Sequence, residues 1–319
     1  MSSVLSTNGS NGSSPHHWAP ILGSWKIEDS VQIFLGEGHP AVSHGESFPM
    51  GLAVTNATLQ NGQCRVFIRF SAPFGETEQA AGIVVGYRSP EQHYVFAELG
   101  AARGAYSIGE FVSGFGWRPL AVTGTRDNLR GDHDYSLELR ILGQDLRLLV
   151  DEVPVLQHLL ARPLEGRQLG LIAAGNSPIS FSGLTVNPLR PRAFVAMEFD
   201  EPFNTFYKEV IRQQAEASGF DVVRIDEKPG PGIIFQDIQR EIEQAEIVIA
   251  EITPANPNVF YELGYAHALG KPTILLARRG SELPFDIQSY RVVFYNDTIG
   301  GKPEVERSLR RHLDALANA

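Results

Sequence analysis

Two carboxylates, two amides and an aromatic residue crowd one stretch of the chain, Ile247 to Pro272. Glu251 closes the apolar run Ile247-Val248-Ile249-Ala250. Asn256 and Asn258 sit in the following loop, and Tyr261 and Glu262 open the helical pattern after it. A short apolar run of this kind reads as a strand inside a parallel sheet. Prolines 254 and 257 keep the loop out of strand and helix. Asn258 is the expected N-cap of the helix. Ligands of open α/β sheets bind beyond the carboxyl ends of the strands, so Glu251, Asn256, Asn258, Tyr261 and Glu262 are expected to converge on one crevice. Carboxylates placed there can trap or stabilise a developing positive charge, or move a proton. Amides orient a polar ligand, and an aromatic ring stacks on a flat one.

The elements that must position these groups begin after Asn187-Pro188-Leu189-Arg190-Pro191-Arg192, a Pro-rich linker. Ala193–Met197 reads as a first buried strand. Residues 203–217 follow as an amphipathic helix, with Phe203, Phe206, Tyr207, Val210 and Ile211 on one side and Gly219 suited to its left-handed cap. Asp221–Ile225 is the second strand. Ile234, Ile238, Ile242 and Ala245 mark the next helix, and strands follow at 247–250, 273–277 and 292–294. Pro303 opens a last helix with Glu304 and Glu306 in its first turn. Alternating strands and helices predict a flavodoxin-like, doubly wound parallel sheet. There is no Walker loop and no GxGxxG after a strand.

Before the linker the period is two. Cys64–Phe70 and Tyr135–Ile141 alternate, and Gly143-Gln144 fits a Gly-first hairpin turn before Leu146, Leu148 and Val150. Further strands are expected near 50–58, 81–87, 94–99, 105–112, 117–123, 168–174 and 179–186, which makes an antiparallel sandwich. Residues 1–17 are rich in Ser, Asn and Gly and are expected to be a flexible tail. The expected division is therefore a tail (1–17), a β-sandwich (18–187), a linker (188–192) and an α/β domain (193–319).

Composition narrows the function classes. The 319 residues suggest two domains, and 43% hydrophobic content is ample for two cores. A formal net charge of −10 argues against nucleic acid or an anionic membrane surface as partner. The single cysteine, Cys64, excludes an internal disulfide and gives no sign of a metal site; its apolar setting predicts a buried, inert thiol. No apolar run is long enough to span a bilayer, and the polar start shows no signal peptide, so a cytoplasmic protein is expected.

Two resemblances add to these readings. The order Tyr94-Val95-Phe96, Tyr106-Ser107-Ile108, Trp117, Tyr135-Ser136-Leu137, Leu146–Asp151, Gly170–Ala173 and Ile179-Ser180-Phe181 resembles the concanavalin-A-like jelly rolls, across roughly residues 20–187. That resemblance implies a concave face that can take glycans. Arg69, Arg103 and Trp117 are the residues to watch there, although ordinary sheet-face roles explain them better. The second resemblance covers residues 193–295. Phe194–Met197, Ala245–Glu251 and the long block Asn256–Ala266 are similar to the nucleoside 2-deoxyribosyltransferase-like group, which is related in architecture to TIR domains.

The second resemblance implies cleavage of the N-glycosidic bond of a nucleoside or nucleotide, including the nicotinamide bond of NAD, with NAD as substrate and no resident cofactor. Glu262 matches the shared glutamate after the third strand. Breaking a C1′–N bond develops positive charge on the sugar, and a carboxylate below C1′ stabilises or traps it. In that frame Glu251 holds ribose hydroxyls, Asn256 and Asn258 orient base or ribose, Asp226 is an acid for the leaving base, and Phe199 and Tyr261 stack on the base. Lys228, Gly230 and Gly232 precede a helix and would take a phosphate. The chain departs from the transferase pattern at Glu251, where those enzymes have aspartate, and at Asn256, where they have a second acid. Cleavage, or an altered choice of base, therefore fits better than direct transfer, because an amide does no proton chemistry.

Plainer roles compete at each position. The helix dipole alone favours a carboxylate in a first turn; asparagines cap turns; glycines merely permit them. His267 lies about 140° round the helix from Glu262 and is expected to pack. Functions from different classes follow: an N-glycosidase whose sandwich recognises a trigger (glycan, other ligand or protein) or builds homo-oligomers, as a regulated effector in antiphage defence would; a non-catalytic sensor whose crevice binds a nucleotide signal and passes it to a glycan- or ligand-binding sandwich; and, more weakly, a glycan-binding or glycan-processing protein acting through the sandwich.

Overall fold

The computed structural model describes residues 16–38, 40–43, 46–74, 79–88, 93–100, 104–227 and 234–317. The expected tail falls mostly outside them. His17 belongs to the fold, its backbone N–H donating to Asn56 Oδ1.

The period-two segments form two antiparallel sheets. One runs Trp18–Leu22, Glu46–Thr58, Gln168–Gly175, Gln79–Tyr87, Tyr94–Leu99, Tyr106–Val112 and Gly116–Thr123 in spatial order, with Pro40–Ser43 added on Glu46–Thr58. The other runs Val153–Leu159, Asp145–Val150, Asp134–Leu142, Gly62–Phe70, Ile179–Pro188, Val31–Phe34 and Trp25–Ile27. Their facing side chains make one core. Val66, Ile68, Leu137, Leu139 and Phe181 come from one sheet, and Ile83, Val95, Ile108 and Leu171 from the other, all buried. Cys64 lies in this core, where burial pushes its thiol up to about 12. The architecture is a jelly-roll-like sandwich.

Turn chemistry fixes register. Gly143, at φ 60°, opens the two-residue hairpin between the paired Leu142 and Asp145. Asp151 and Glu152 both take positive φ in the next hairpin, without glycine. Asp151 is held there by side-chain bonds from the Ser136 N–H and His133.

After residue 190 the period changes and five parallel strands form. Their spatial order is Asp221–Val223, Arg192–Ala196, Ile247–Glu251, Thr273–Arg278 and Val292–Tyr295, that is second, first, third, fourth, fifth. This is the flavodoxin order. One face carries Val195, Tyr207, Ile211, Ile249, Leu276 and Leu309; the other carries Phe194, Ile242, Val248, Leu263 and Leu275. The helix over residues 203–217 contains a π turn at Tyr207–Ile211 between α segments Phe203–Phe206 and Arg212–Ala217. The second strand ends at Val223, and Ile225–Glu227 is a 3₁₀ turn rather than strand. No helix among the described residues is long and apolar enough to cross a membrane.

Candidate active site

In this strand order the first and third strands are neighbours whose connections leave to opposite faces. A crevice opens beyond their carboxyl ends, as expected at a topological switch point. It has a volume of about 360 Å³ and is lined by Met197, Glu198, Phe199 and Asp200 after the first strand, and by Asn256, Asn258, Val259 and Glu262 after the third.

The helix Pro257–Ala268 delivers Glu262. Its N-cap is Asn256, not Asn258 as expected. Proline at the first helical position needs no N–H partner, and Asn256 Oδ1 accepts from the Asn258 N–H at 2.9 Å. Val259, Glu262, Leu263 and Ala266 share the buried face at helical spacing. Glu262 is only 6% exposed, and among the described residues no donor or cation reaches its carboxyl. Burial alone lifts it to about 7 from an ordinary value of 4.5. It stands in the second helical turn, so the dipole explanation fails. That effect is worth about 0.3–1 kcal/mol and fades within the first turn, against roughly 3 kcal/mol implied by the shift.

Glu198 and Asp200 are crevice residues that the sequence reading passed over. Glu198 Oε1 accepts from Asn256 Nδ2 at 3.0 Å, which ties the two crevice walls together. The strand-end rule that found Glu251 would have found Glu198 too, since it follows the apolar run Ala193–Met197. Phe199 lines the crevice and is 45% exposed.

Other expected residues are placed elsewhere. Tyr261 points away from the crevice, 53% exposed, against the Phe235 ring at 5.5 Å; a residue adjacent to Glu262 is turned about 100° from it. Glu251 is buried at the end of the third strand. Its carboxyl accepts from Thr253 Oγ1 at 2.6 Å, from the Thr253 N–H and from Tyr295 OH at 3.0 Å. Burial lifts it to about 7, while these donors pull the other way. It clamps the third strand to the fifth and is not among the lining residues. Asp226 also does not line the crevice. Both its oxygens are taken by Arg224, at 2.6 and 2.7 Å. Arg224 is itself buried, its guanidinium 5.3 Å from the Phe199 ring and 4.1 Å from that of Tyr207. A carboxyl so held supports the wall behind Phe199 instead of serving a leaving base. Lys228, Gly230 and Gly232 lie outside the described residues. His267 stacks on Tyr290 at 4.5 Å and meets Thr273 Oγ1, away from the crevice.

On the sandwich, Arg69 pairs with Asp134 at the surface, and Trp117 donates to Tyr94 OH within an aromatic cluster with Phe111. Arg103 lies outside the described residues. No group of three or more His, Cys, Asp or Glu among the described residues is arranged to hold a metal ion.

No family model and no curated protein matches the chain. Solved structures do, each over part of it. A carbohydrate binding module, CBM66 from Bacillus subtilis, is similar over 53% of this chain and 93% of its own, at 17% identity and a TM-score of 0.42. The Clostridium botulinum CMP N-glycosidase BcmB is similar over 38% of this chain and 98% of its own, at 21% identity and a TM-score of 0.32. A 2-deoxyribosyltransferase from Bacillus psychrosaccharolyticus is similar over 37% and 95%, at 20% identity and a TM-score of 0.31.

Proposed function

We propose that this protein is an N-glycosidase that cleaves the base–ribose bond of a nucleotide or NAD in the crevice between its first and third parallel strands. One observation carries the reading: Glu262 is a buried carboxyl on the wall of that crevice, with no cation or donor among the described residues to satisfy it. A folded protein leaves such a group unpaired when something else completes it. The positive charge that grows at C1′ as the base departs is a fitting complement. Phe199 offers a ring face to a base, and Asn258 offers an amide. Ionised Glu262 would stabilise or trap the sugar cation, and water would complete hydrolysis.

In this reading residues 18–187 form a recognition or oligomerisation module, and residues 193–319 the catalytic one, as expected of a regulated effector. The test is incubation of the purified protein with NAD and a panel of nucleosides and nucleotides, with chromatography for free base. Wild type is expected to release base and Glu262→Gln to release none, since glutamine keeps the shape without the charge. Ligand binding without base release by the wild type would replace the enzyme with the nucleotide sensor.

A further inference from the structure

The wall formed after the first strand holds a second carboxyl, Glu198. Asn256 stands where the resemblance calls for an acid, and the structure shows it fully committed. Its Oδ1 caps the helix through the Asn258 N–H, and its Nδ2 donates to Glu198. An amide can neither give nor take a proton. Two other carboxyls line the crevice, Glu198 and Asp200. Asp200 is exposed, in the loop whose backbone carbonyl accepts from the Asn204 N–H. Glu198 is half-buried, and its Oε1 is anchored by Asn256, which leaves Oε2 with no partner among the described residues.

Resting on the N-glycosidase reading, we propose that Glu198 is the proton donor to the departing base, supplied from the end of the first strand and aimed by the Asn256 amide that holds its Oε1. The electron pair of the breaking C1′–N bond goes to the base nitrogen, which takes the proton from Glu198, while Glu262 compensates C1′. Water then bonds to C1′ and gives its proton to the Glu198 carboxylate, which restores the starting state. One water is consumed, and free base and a C1′ hydroxyl are formed.

The test uses the leaving group. A neutral purine or pyrimidine needs a proton as it leaves; nicotinamide leaves a cationic ring as a neutral molecule and needs none. Base release is measured in single turnover, with the full-length protein in excess, on NAD and on the neutral-base substrates the wild type accepts. Glu198→Gln is expected to slow release of neutral bases by about 100-fold or more, the range of general acid catalysis, and scarcely to change release of nicotinamide. Glu198→Ala is expected to regain neutral-base release when formate is added. Equal losses on both classes, or no rescue by formate, would overturn the proton role while leaving the N-glycosidase reading intact. A wild type that releases nicotinamide alone would also overturn it. A wild type that releases no base from any substrate would remove both.

Discussion

The Gln144 side chain crosses from the sandwich hairpin to the carbonyl of Leu269, donating through Nε2 at 3.2 Å. Leu269 caps the helix that carries Glu262. The same hairpin adds a backbone bond from the Gln144 N–H to the Glu243 carbonyl. Gly143 lies so close that a Cβ there would fall 2.4 Å from that oxygen. The sandwich thus touches the far end of the crevice helix and the end of the helix Ile234–Gln244 through polar contacts.

Gln144→Ala is expected to cost roughly 1–3 kcal/mol, because it leaves the Leu160 carbonyl and that of Leu269 without this donor. Hydrogen exchange should quicken at Leu269–Lys271 while the Gly62–Phe70 ladder keeps its protection. Unchanged exchange at those amides would show that the contact does not couple the two halves.

Glu262→Gln carries a stability signature as well as loss of base release. The folded value, about 7, lies above the ordinary 4.5. Between those values the native state holds a proton that the unfolded chain has lost, so wild-type stability falls as pH rises through this window. Glutamine has no such slope. The variant should match wild type near pH 4.5 and exceed it by up to roughly 3 kcal/mol above pH 7 in urea denaturation. Glu246 and Glu251 shift in the same direction but are present in both proteins and cancel. A stability difference flat with pH would mean that Glu262 is not held in this environment.

Glu251→Ala is expected to act on the fold. Tyr295 OH and Thr253 Oγ1 lose their acceptor, at roughly 1–3 kcal/mol for each group left unpaired and buried. Calorimetry should show a lower Tm, with nucleotide affinity of the folded protein kept. Intact Tm with lost affinity would instead place Glu251 against the ligand.

Arg224→Met keeps an apolar stem beneath Phe199 but removes the charge that binds Asp226 and the Nη2 bond to Asn204 Oδ1. The stability loss should be about 2 kcal/mol or more, since a buried ion pair is broken from one side. Nucleotide titration should show weakened binding as Phe199 loses its backing. Unchanged affinity would indicate that Phe199 is positioned by its own loop.

Much of this arrangement was legible in advance. Period-two alternation located Cys64–Phe70 and Tyr135–Ile141, and strand–helix alternation after residue 190 gave the doubly wound order. Val31–Phe34 was missed because four residues carry too little periodicity, and Val153–Leu159 because its residues are exposed or half-buried throughout and show no alternation. The Asp151-Glu152 turn hid Val153–Leu159 further, since its left-handed backbone is held by side-chain bonds and not by glycine.

At the site, sequence alone placed Glu262, Asn256, Asn258 and Phe199 at the crevice, because a strand end followed by a helix start is a local pattern with a known outlet. It could not determine which carboxyls are free. Glu251 and Asp226 were spent by Tyr295 and Arg224, and Glu198 was brought to the crevice by the pairing of the first and third strands, within reach of Asn256, 58 positions along the chain. Glu251 is consumed by a donor delivered from another strand, whereas Asp226 is taken by Arg224, two residues before it, through the turn Ile225–Glu227. Only tertiary packing fixes those distances, and the free energy of an ionisable group follows its surroundings more than its neighbours in the chain.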